Sequence, residues 1–114
     1  MHIKLLSLSK NQDFKSLLTG KKISNKYLTI FFKNLSGKSN KYLNISFVAQ
    51  KKLGNAVKRN KIKRRLKNIM NQISKIKKIN LNYSYLIIVK KNMIDAKFFD
   101  IKETILKDYK KIKW

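Results

Sequence analysis

The stretch from Lys51 to Asn68 carries the side chains whose chemistry is clearest in this sequence. It holds all three arginines of the chain, Arg59, Arg64 and Arg65, although lysine is the basic residue used everywhere else. A guanidinium group is a planar fork that binds phosphate through two hydrogen bonds and stacks on bases, whereas an ammonium group acts as a point charge. The clustering therefore predicts a phosphate-bearing ligand that lysine alone does not serve. The alternative is chance clustering, in which case only the charge matters.

Side chains that could cleave a phosphodiester bond are scarce. A protein nuclease needs a carboxylate cluster for metal ions, or an acid–base pair that includes a group such as histidine. The only histidine is His2, and the acids are Asp13, Asp95, Asp100, Glu103 and Asp108. We place the last four acids on the final helix, as a solvated face paired at i,i+4 steps with Lys97, Lys102 or Lys107. We therefore expect no catalytic residue and no metal site in the protein.

The net charge of +24 over 114 residues sets the class of partner. Self-repulsion of this size is tolerable when a polyanion is the normal partner, which favours nucleic acid and leaves an anionic membrane surface as the competing explanation. The chain has no apolar run of roughly 18 residues, no cysteine and no proline. We expect one nucleic-acid-binding domain over residues 1–114, in the cytoplasm, with no membrane contact and no obligate protein partner.

A long helix must present the basic stretch. Gly54 suits a tight turn, and Asn55 is a good N-cap for the helix that follows. Apolar residues then recur at steps of three and four and form one stripe, namely Ile62, Leu66, Ile69, Met70, Ile73 and Ile76. Most of the basic side chains fall off this stripe, and the free amides at the helix start add attraction for phosphate. The pattern predicts an anion-binding helix start with a cationic face behind it.

The remaining elements follow from apolar periodicity. We predict strands over Tyr27–Phe32, Tyr42–Ala49 and Tyr85–Val89, the last one buried on both faces. We predict helices from Asn11 to about Gly20 and after an Asp95 cap, the last with Phe98, Ile101, Ile105, Tyr109 and Ile112 facing inward. Residues 1–10 are expected to be irregular and residues 33–41 to form a turn or hairpin loop. The order is α-β-β-α-β-α, with a further short strand allowed among residues 38–49, which makes an α/β sandwich.

The ordered signature in the basic stretch resembles a known family. Lys51-Lys52, Gly54-Asn55-Ala56-Val57, Arg59-Asn60 and Lys63-Arg64 match the pattern K-K-x-G-N-A-V-x-R-N-R-x-K-R of the bacterial ribonuclease P protein subunit. Only Lys61 departs from that pattern, keeping the charge and losing the fork. The resemblance covers about Leu8 to Tyr109. It implies a left-handed β-α-β crossover through the basic helix, which is the rare hand.

The resemblance also implies the function and the site. The family's partners are the catalytic RNA of ribonuclease P and precursor tRNA, whose 5′ leader the enzyme removes as an endoribonuclease. The chemistry belongs to Mg²⁺ held by the RNA subunit, and the protein alone binds no cofactor. The RNA-binding residues implied are Lys51, Lys52, Asn55, Lys58, Arg59, Asn60, Lys61, Lys63, Arg64, Arg65, Lys67, Lys90 and Lys91.

Three further residues are implied for a cleft that binds the leader, namely Phe14, Leu18 and Phe31. Leu18 stands where the family often has an aromatic, and Gln50 is bulkier than the usual small residue and is expected to crowd the cleft floor. Phe14, Leu18 and Phe31 could instead be core residues. A ribosomal or other structural RNA-binding protein stays as the alternative function, because it would share the charge and the helix.

Overall fold

The computed structural model describes residues 5–8, 11–35, 37–38, 41–76 and 79–112. Its elements are β1 (Leu5–Leu6), α1 (Asn11–Leu18), β2 (Lys21–Ser24), β3 (Leu28–Lys33), β4 (Leu43–Val48), α2 (Ala56–Ile76), β5 (Ser84–Val89) and α3 (Phe98–Lys111). Short 3₁₀ turns at Lys51–Leu53 and Lys91–Met93 follow β4 and β5. The α/β fold class is confirmed.

The strands form one mixed sheet in the order β1-β4-β5-β3-β2. The central strand β5 runs parallel to β4 and antiparallel to β3, with Leu86 opposite both Ser46 and Phe31. Five of its six residues are buried, as the continuous apolar run predicted. Because β4 and β5 are parallel neighbours, α2 is their crossover connection. The left hand of this crossover stays a prediction of the family resemblance.

Alternation along the strands creates two packed faces. One face, with Leu28, Ile30 and Phe32 from β3, belongs to the main core, which also includes Leu66 of α2 and Ile101 of α3. The opposite face holds a smaller cluster in which Leu86 packs with Leu8 and Leu17, and Phe14, Phe31, Val48 and Ile88 pack at its margin. The helix α1 therefore covers part of the second face of the sheet.

The N-terminal segment differs from the irregular stretch that was predicted. Leu5–Leu6 pairs with β4 as a parallel edge strand, and Leu8 is only 5% exposed. The backbone N–H of Leu8 donates to the Ser46 hydroxyl at 2.8 Å. The prediction was wrong for residues 5–8 because a two-residue strand has no periodicity to detect. Residues 1–4, including His2, and residues 9–10 lie outside the described part of the chain.

The extra strand also lies elsewhere than predicted. It is β2, which pairs with β3 as a hairpin, whereas the described residues among 38–49 form only β4. The connection over residues 33–41 is not a hairpin because β5 lies between β3 and β4. Of that connection, Ser36, Ser39 and Asn40 lie outside the described residues. Gly20 lets the chain after α1 approach the backbone of β3 closely, since a Cβ there would meet the carbonyl oxygen of Phe32 at 2.7 Å.

The stripe predicted for α2 is confirmed except at its end. Ile62, Leu66, Ile69, Met70 and Ile73 are buried. Ile76, the last residue of α2, is 58% exposed. Within the described residues, no helix is long and apolar enough to cross a bilayer.

The final helix confirms its inward stripe and corrects the placement of the acids. Ile101 and Ile105 are buried, and Phe98, Tyr109 and Ile112 pack against the same core. The helix begins at Phe98, with Lys97 at the N-cap position and no side-chain cap, so Asp95 is not the cap.

The prediction of a solvated, lysine-paired acidic face is confirmed only in part, since Asp95 and Asp100 are exposed but no pairing with lysine is present among the described residues. Asp95, Asp100 and Glu103 make no ion pair with any described residue. Asp108 is only 7% exposed and accepts a hydrogen bond from Asn25. The predicted pairing was wrong because helical spacing brings a lysine near each acid without favouring that rotamer over a solvated one, since exposed pairs contribute little.

The two leucines at positions 8 and 18 test this description of the N-terminal face. Leu8→Ala should lower the free energy of unfolding by about 2–4 kcal/mol, because it leaves a cavity in a buried cluster. Leu18 is 50% exposed, so Leu18→Ala should change stability by less than about 0.5 kcal/mol. Urea unfolding of both variants measures the difference. Equal effects would mean that the segment at residues 5–8 does not pack on the sheet.

Candidate nucleic-acid interface

The start of α2 has the cap that the sequence predicted. The Asn55 side-chain oxygen accepts from the backbone N–H of Lys58 at 3.0 Å, and the Asn55 carbonyl accepts from the N–H of Arg59 at 3.0 Å. Gly54 precedes it with φ of +139°, a conformation that other residues rarely adopt. The tight turn fixes where the helix begins and brings its amide end and its first basic residues next to β4.

Burial of one side of α2 determines which residues face outward. Leu66 and Ile69 are fully buried against the sheet, whereas Val57, Asn60 and Arg64 are exposed. These three positions are separated by steps of three and four and therefore share one side of the helix. Lys63 and Lys67 border the same side. A row of cationic and amide side chains thus runs along α2 next to β4.

An open groove of about 850 Å³ lies between this row and α1. Ser46 and Val48 of β4 lie on the sheet face toward α1 and form its floor. Phe14 of α1 and Leu8 form an apolar side. The α2 side is formed by Val57, Asn60, Lys63, Arg64 and Lys67. The helix α1 packs chiefly on β3 and β5, so a gap remains between α1 and α2 over the end of β4.

The chemistry of this groove is asymmetric. One side offers an aromatic ring and aliphatic carbon, and the other offers two ammonium groups and one guanidinium. No acid is among the described residues that line it. Unpaired bases stack on aromatic and apolar surfaces, while their phosphates bind cations. The arrangement suits a single strand of nucleic acid lying between the two sides.

A second groove of about 480 Å³ lies where β4 and β5 end. It is lined by Thr29, Gln50, Lys52, Leu53, Ile88, Val89, Lys90 and Lys91. Thr29 and Ile88 share the sheet face of Phe31 and Leu86, so the second groove opens on the same side of the sheet as the first. Gln50 was expected to crowd the floor of the cleft. It lines the second groove instead of the first, because it follows the end of β4.

Several of the predicted site residues lie outside both grooves. Lys51, Lys58 and Lys61 are exposed and line neither groove. Phe31 is half-buried at the margin of the smaller core cluster. Leu18 is exposed on α1, outside the lining of both grooves. Of the three residues predicted for the cleft, only Phe14 therefore lines a groove.

Sequence reasoning missed Ser7, Leu8, Val48 and Val57 among the residues that line the larger groove. Val57 carried a signal, because it is an apolar residue off the buried stripe, and it is 73% exposed. Leu8 carried none. Burial raises the pKa of the Tyr85 and Tyr109 hydroxyls, but neither residue lines either of the two grooves described above. Within the described residues, no three His, Asp or Glu side chains come together as metal ligands.

Comparison with known proteins decides the family. The family model Ribonuclease P matches residues 4–113. A ribonuclease P protein component of Mycoplasma capricolum is 32% identical, over 93% of this chain and 94% of that protein. The one from Fusobacterium nucleatum is 34% identical, over 94% of this chain and 96% of that protein. The chain belongs to the ribonuclease P protein family.

Solved structures of ribonuclease P proteins share the fold. The protein from Thermotoga maritima superposes with a TM-score of 0.77 at 23% identity, covering 96% of this chain and 99% of that one. A Staphylococcus aureus protein, a mutant described as having defective mRNA degradation activity, is 30% identical with a TM-score of 0.70 and covers 91% of this chain and 87% of its own. These matches confirm the fold that the resemblance implied, apart from the hand of its crossover.

The three arginines of this ribonuclease P protein have different surroundings. Arg64 is exposed and lines the larger groove. Arg65 lies on another side of α2, and its Nη2 donates to the carbonyl oxygen of Ala96 at 2.6 Å. Arg59 is half-buried, and its Nε is buried with no hydrogen-bond partner among the described residues. Arg65 thus ties α2 to the segment before α3, while Arg64 is available to a ligand.

Substitutions of Arg65 and Arg64 should have different effects on stability and on RNA affinity. Arg65→Ala should lower the free energy of unfolding by about 1–3 kcal/mol, because a charged hydrogen bond to a part-buried carbonyl is lost. Arg64→Lys should leave stability unchanged and weaken binding to ribonuclease P RNA by on the order of 1–2 kcal/mol, since a bidentate contact becomes a single one at constant charge. Thermal melting and RNA titration measure the two effects. Unchanged RNA affinity in Arg64→Lys would mean that only charge counts there.

Proposed function

We propose that this chain is the protein subunit of a ribonuclease P ribonucleoprotein, in which it binds the catalytic RNA and the 5′ leader of precursor tRNA. The observation that supports this most is the larger groove, with Phe14 on one side and Arg64 and Lys67 on the other. Membership of the ribonuclease P protein family supplies the RNA partner. The endonucleolytic removal of the leader is then the reaction that the protein assists, in the cytoplasm.

The groove suits the leader because the leader is single-stranded. Phe14 and the neighbouring aliphatic groups can take base faces, which carry little sequence information. Arg64 and Lys67 can bind the phosphates on the opposite side of the same strand. A base-paired helix hides its base faces inside its stack, so the apolar side of the groove would find no partner in it.

The rest of the cationic face of α2 is proposed to contact the catalytic RNA. Lys58 and Lys61 are exposed and lie outside both grooves. They project from the same helix that borders the larger groove, so the helix can touch two RNA segments at once. The high net charge of +24 then replaces counterions around the RNA.

The chemical step is proposed to belong to Mg²⁺ held by the RNA subunit. The described residues of the protein hold no cluster of acidic or histidine side chains that fits a metal ion. When bound to the RNA, Mg²⁺ would supply activation of water and stabilisation of the leaving oxygen. The protein's own residues bind and orient the leader and neutralise phosphate charge.

The division of labour predicts two results with purified protein. The protein alone should not cleave precursor tRNA, because its described residues hold no group of side chains that fits a metal ion. Added to a bacterial ribonuclease P RNA, it should lower the Mg²⁺ concentration needed for half-maximal cleavage, since its cations replace bulk counterions. An mRNA fragment serves as a second substrate, because a Staphylococcus aureus relative is described by its mRNA degradation activity. Metal-dependent cleavage of either substrate by the protein alone, with contaminating nucleases excluded, would overturn this division.

The apolar side of the groove makes a separate prediction about the leader. Phe14→Ala should weaken binding of precursor tRNA to the holoenzyme by about 1–3 kcal/mol, because one stacking contact is lost. Mature tRNA, which lacks the leader, should be unaffected. Phe31→Ala should show the same selectivity if that half-buried ring reaches the strand, and only lower stability if it is core.

The matched control for these variants is Phe99→Ala. Phe99 is 66% exposed on α3 and lines neither groove. Its replacement should change neither affinity. An equal loss for precursor and mature tRNA in Phe14→Ala would argue that the groove does not hold the leader.

A further inference from the structure

A chain of hydrogen bonds joins α3 to the second groove. It begins in the turn between β2 and β3, where the Asn25 side-chain oxygen accepts from the backbone N–H groups of Tyr27 at 2.8 Å and Leu28 at 3.0 Å. The N–H of Asn25 donates to the carbonyl oxygen of Leu28 at 3.0 Å. These bonds close the turn around a single asparagine side chain.

Asp108 of α3 holds the Asn25 side chain through a hydrogen bond. Its carboxylate accepts from Asn25 Nδ2 at 2.6 Å, and Asp108 is only 7% exposed. Because Asn25 Oδ1 is already occupied by two backbone donors, only the amide nitrogen can face the carboxylate. A buried carboxylate is costly unless it is hydrogen-bonded. The contact therefore sets the position of the turn relative to α3.

The same turn between β2 and β3 also holds Lys90. The Lys90 backbone N–H donates to the carbonyl oxygen of Tyr27 at 2.8 Å. Its Nζ donates to Ser24 Oγ at 2.6 Å and to the carbonyl oxygen of Asn25 at 2.7 Å. An ammonium group has three N–H donors, so one stays available. Lys90 lines the second groove together with Lys52 and Lys91.

We propose that Asp108 and Asn25 are positioning residues that hold the Lys90 ammonium group in place for a phosphate of RNA bound in the second groove. This inference rests on the proposed function. A free lysine side chain loses much rotamer freedom when it binds an anion. Lys90 has lost part of that freedom on folding, because the turn holds both its backbone and its ammonium group, so binding an RNA phosphate is less opposed by entropy.

The direction in which Asp108→Ala changes RNA affinity separates a positioning role from a simple effect of charge. Asp108→Ala removes a negative charge, so charge counting predicts tighter RNA binding. The positioning role predicts weaker binding, by about threefold to tenfold, because the turn and Lys90 become free to move. Asp100→Ala is the matched control, since Asp100 is an exposed acid on the same helix. It should bind RNA as tightly as the parent or slightly more so.

A cycle with Lys90→Met tests whether Asp108 acts through Lys90. In the Lys90→Met background, Asp108→Ala should weaken binding no further, because the group that it positions is absent. A general loss of structure would weaken binding equally in both backgrounds, and that result would overturn the proposal. Asp108→Asn keeps an acceptor oxygen at the same place and should restore near-parental affinity.

Ser24→Ala keeps the proposal testable if Asp108→Ala fails to fold. Ser24 is exposed, so its hydroxyl can be removed with little effect on stability. The change takes away one of the two oxygens that hold Lys90 and should weaken RNA binding about twofold to threefold, an effect that Lys90→Met should abolish. Parental affinity in Ser24→Ala would contradict the proposal.

The probes are a bacterial ribonuclease P RNA alone, and its holoenzyme with precursor tRNA or mature tRNA. A loss confined to the first probe would assign the phosphate to the catalytic RNA, and a loss confined to precursor tRNA would assign it to the leader. If the parent protein binds none of these probes, the proposed function fails. If the parent binds them but Asp108→Ala behaves like Asp100→Ala, only the positioning inference fails.

Discussion

Burial of one side of α2 against the sheet is the interaction on which the rest of the structure depends. Leu66 and Ile69 are fully buried and Ile73 nearly so. Burying one such side chain contributes about 1.5–3 kcal/mol, so the packing outweighs the cost of gathering lysines and arginines on the other side. The same packing aligns the cationic row along β4, which is what makes a groove with one apolar and one basic side. RNA then relieves the repulsion that the fold tolerates.

Much of the main core could be predicted from the sequence because its signals are periodic. The stripe of α2, the cap at Asn55 and the central position of β5 all follow from spacing and residue type. The edge strands could not be predicted in this way. Leu5–Leu6 and Lys21–Ser24 are too short for a period, and their pairing with β4 and β3 is decided by tertiary contacts. Asp95 was mistaken for a cap because the chain makes a turn at residues 94–95 and is extended at Lys97, so that α3 begins only at Phe98.

The site was less predictable than the fold because its chemistry depends on which side of α2 faces the groove and which side faces the rest of the protein. Arg64 and Arg65 are adjacent in sequence and similar in pattern. One lines a groove and the other donates to Ala96, 31 residues later in the chain. Lys90 was expected at the interface from the family pattern, yet no sequence signal joins it to Asn25 and Asp108. Contacts of this kind need the folded chain to be seen.

The central claim is that the larger groove holds the leader, and site-specific crosslinking tests it most directly. Val57 at the groove and Phe99 on α3 are both exposed apolar residues, at 73% and 66%. Each is replaced by a photoreactive amino acid, and the holoenzyme is irradiated with leader-bearing precursor tRNA. The account predicts crosslinks from position 57 to leader nucleotides and none from position 99. Leader crosslinks from position 99, or none from position 57 while precursor is bound and cleaved, would contradict it.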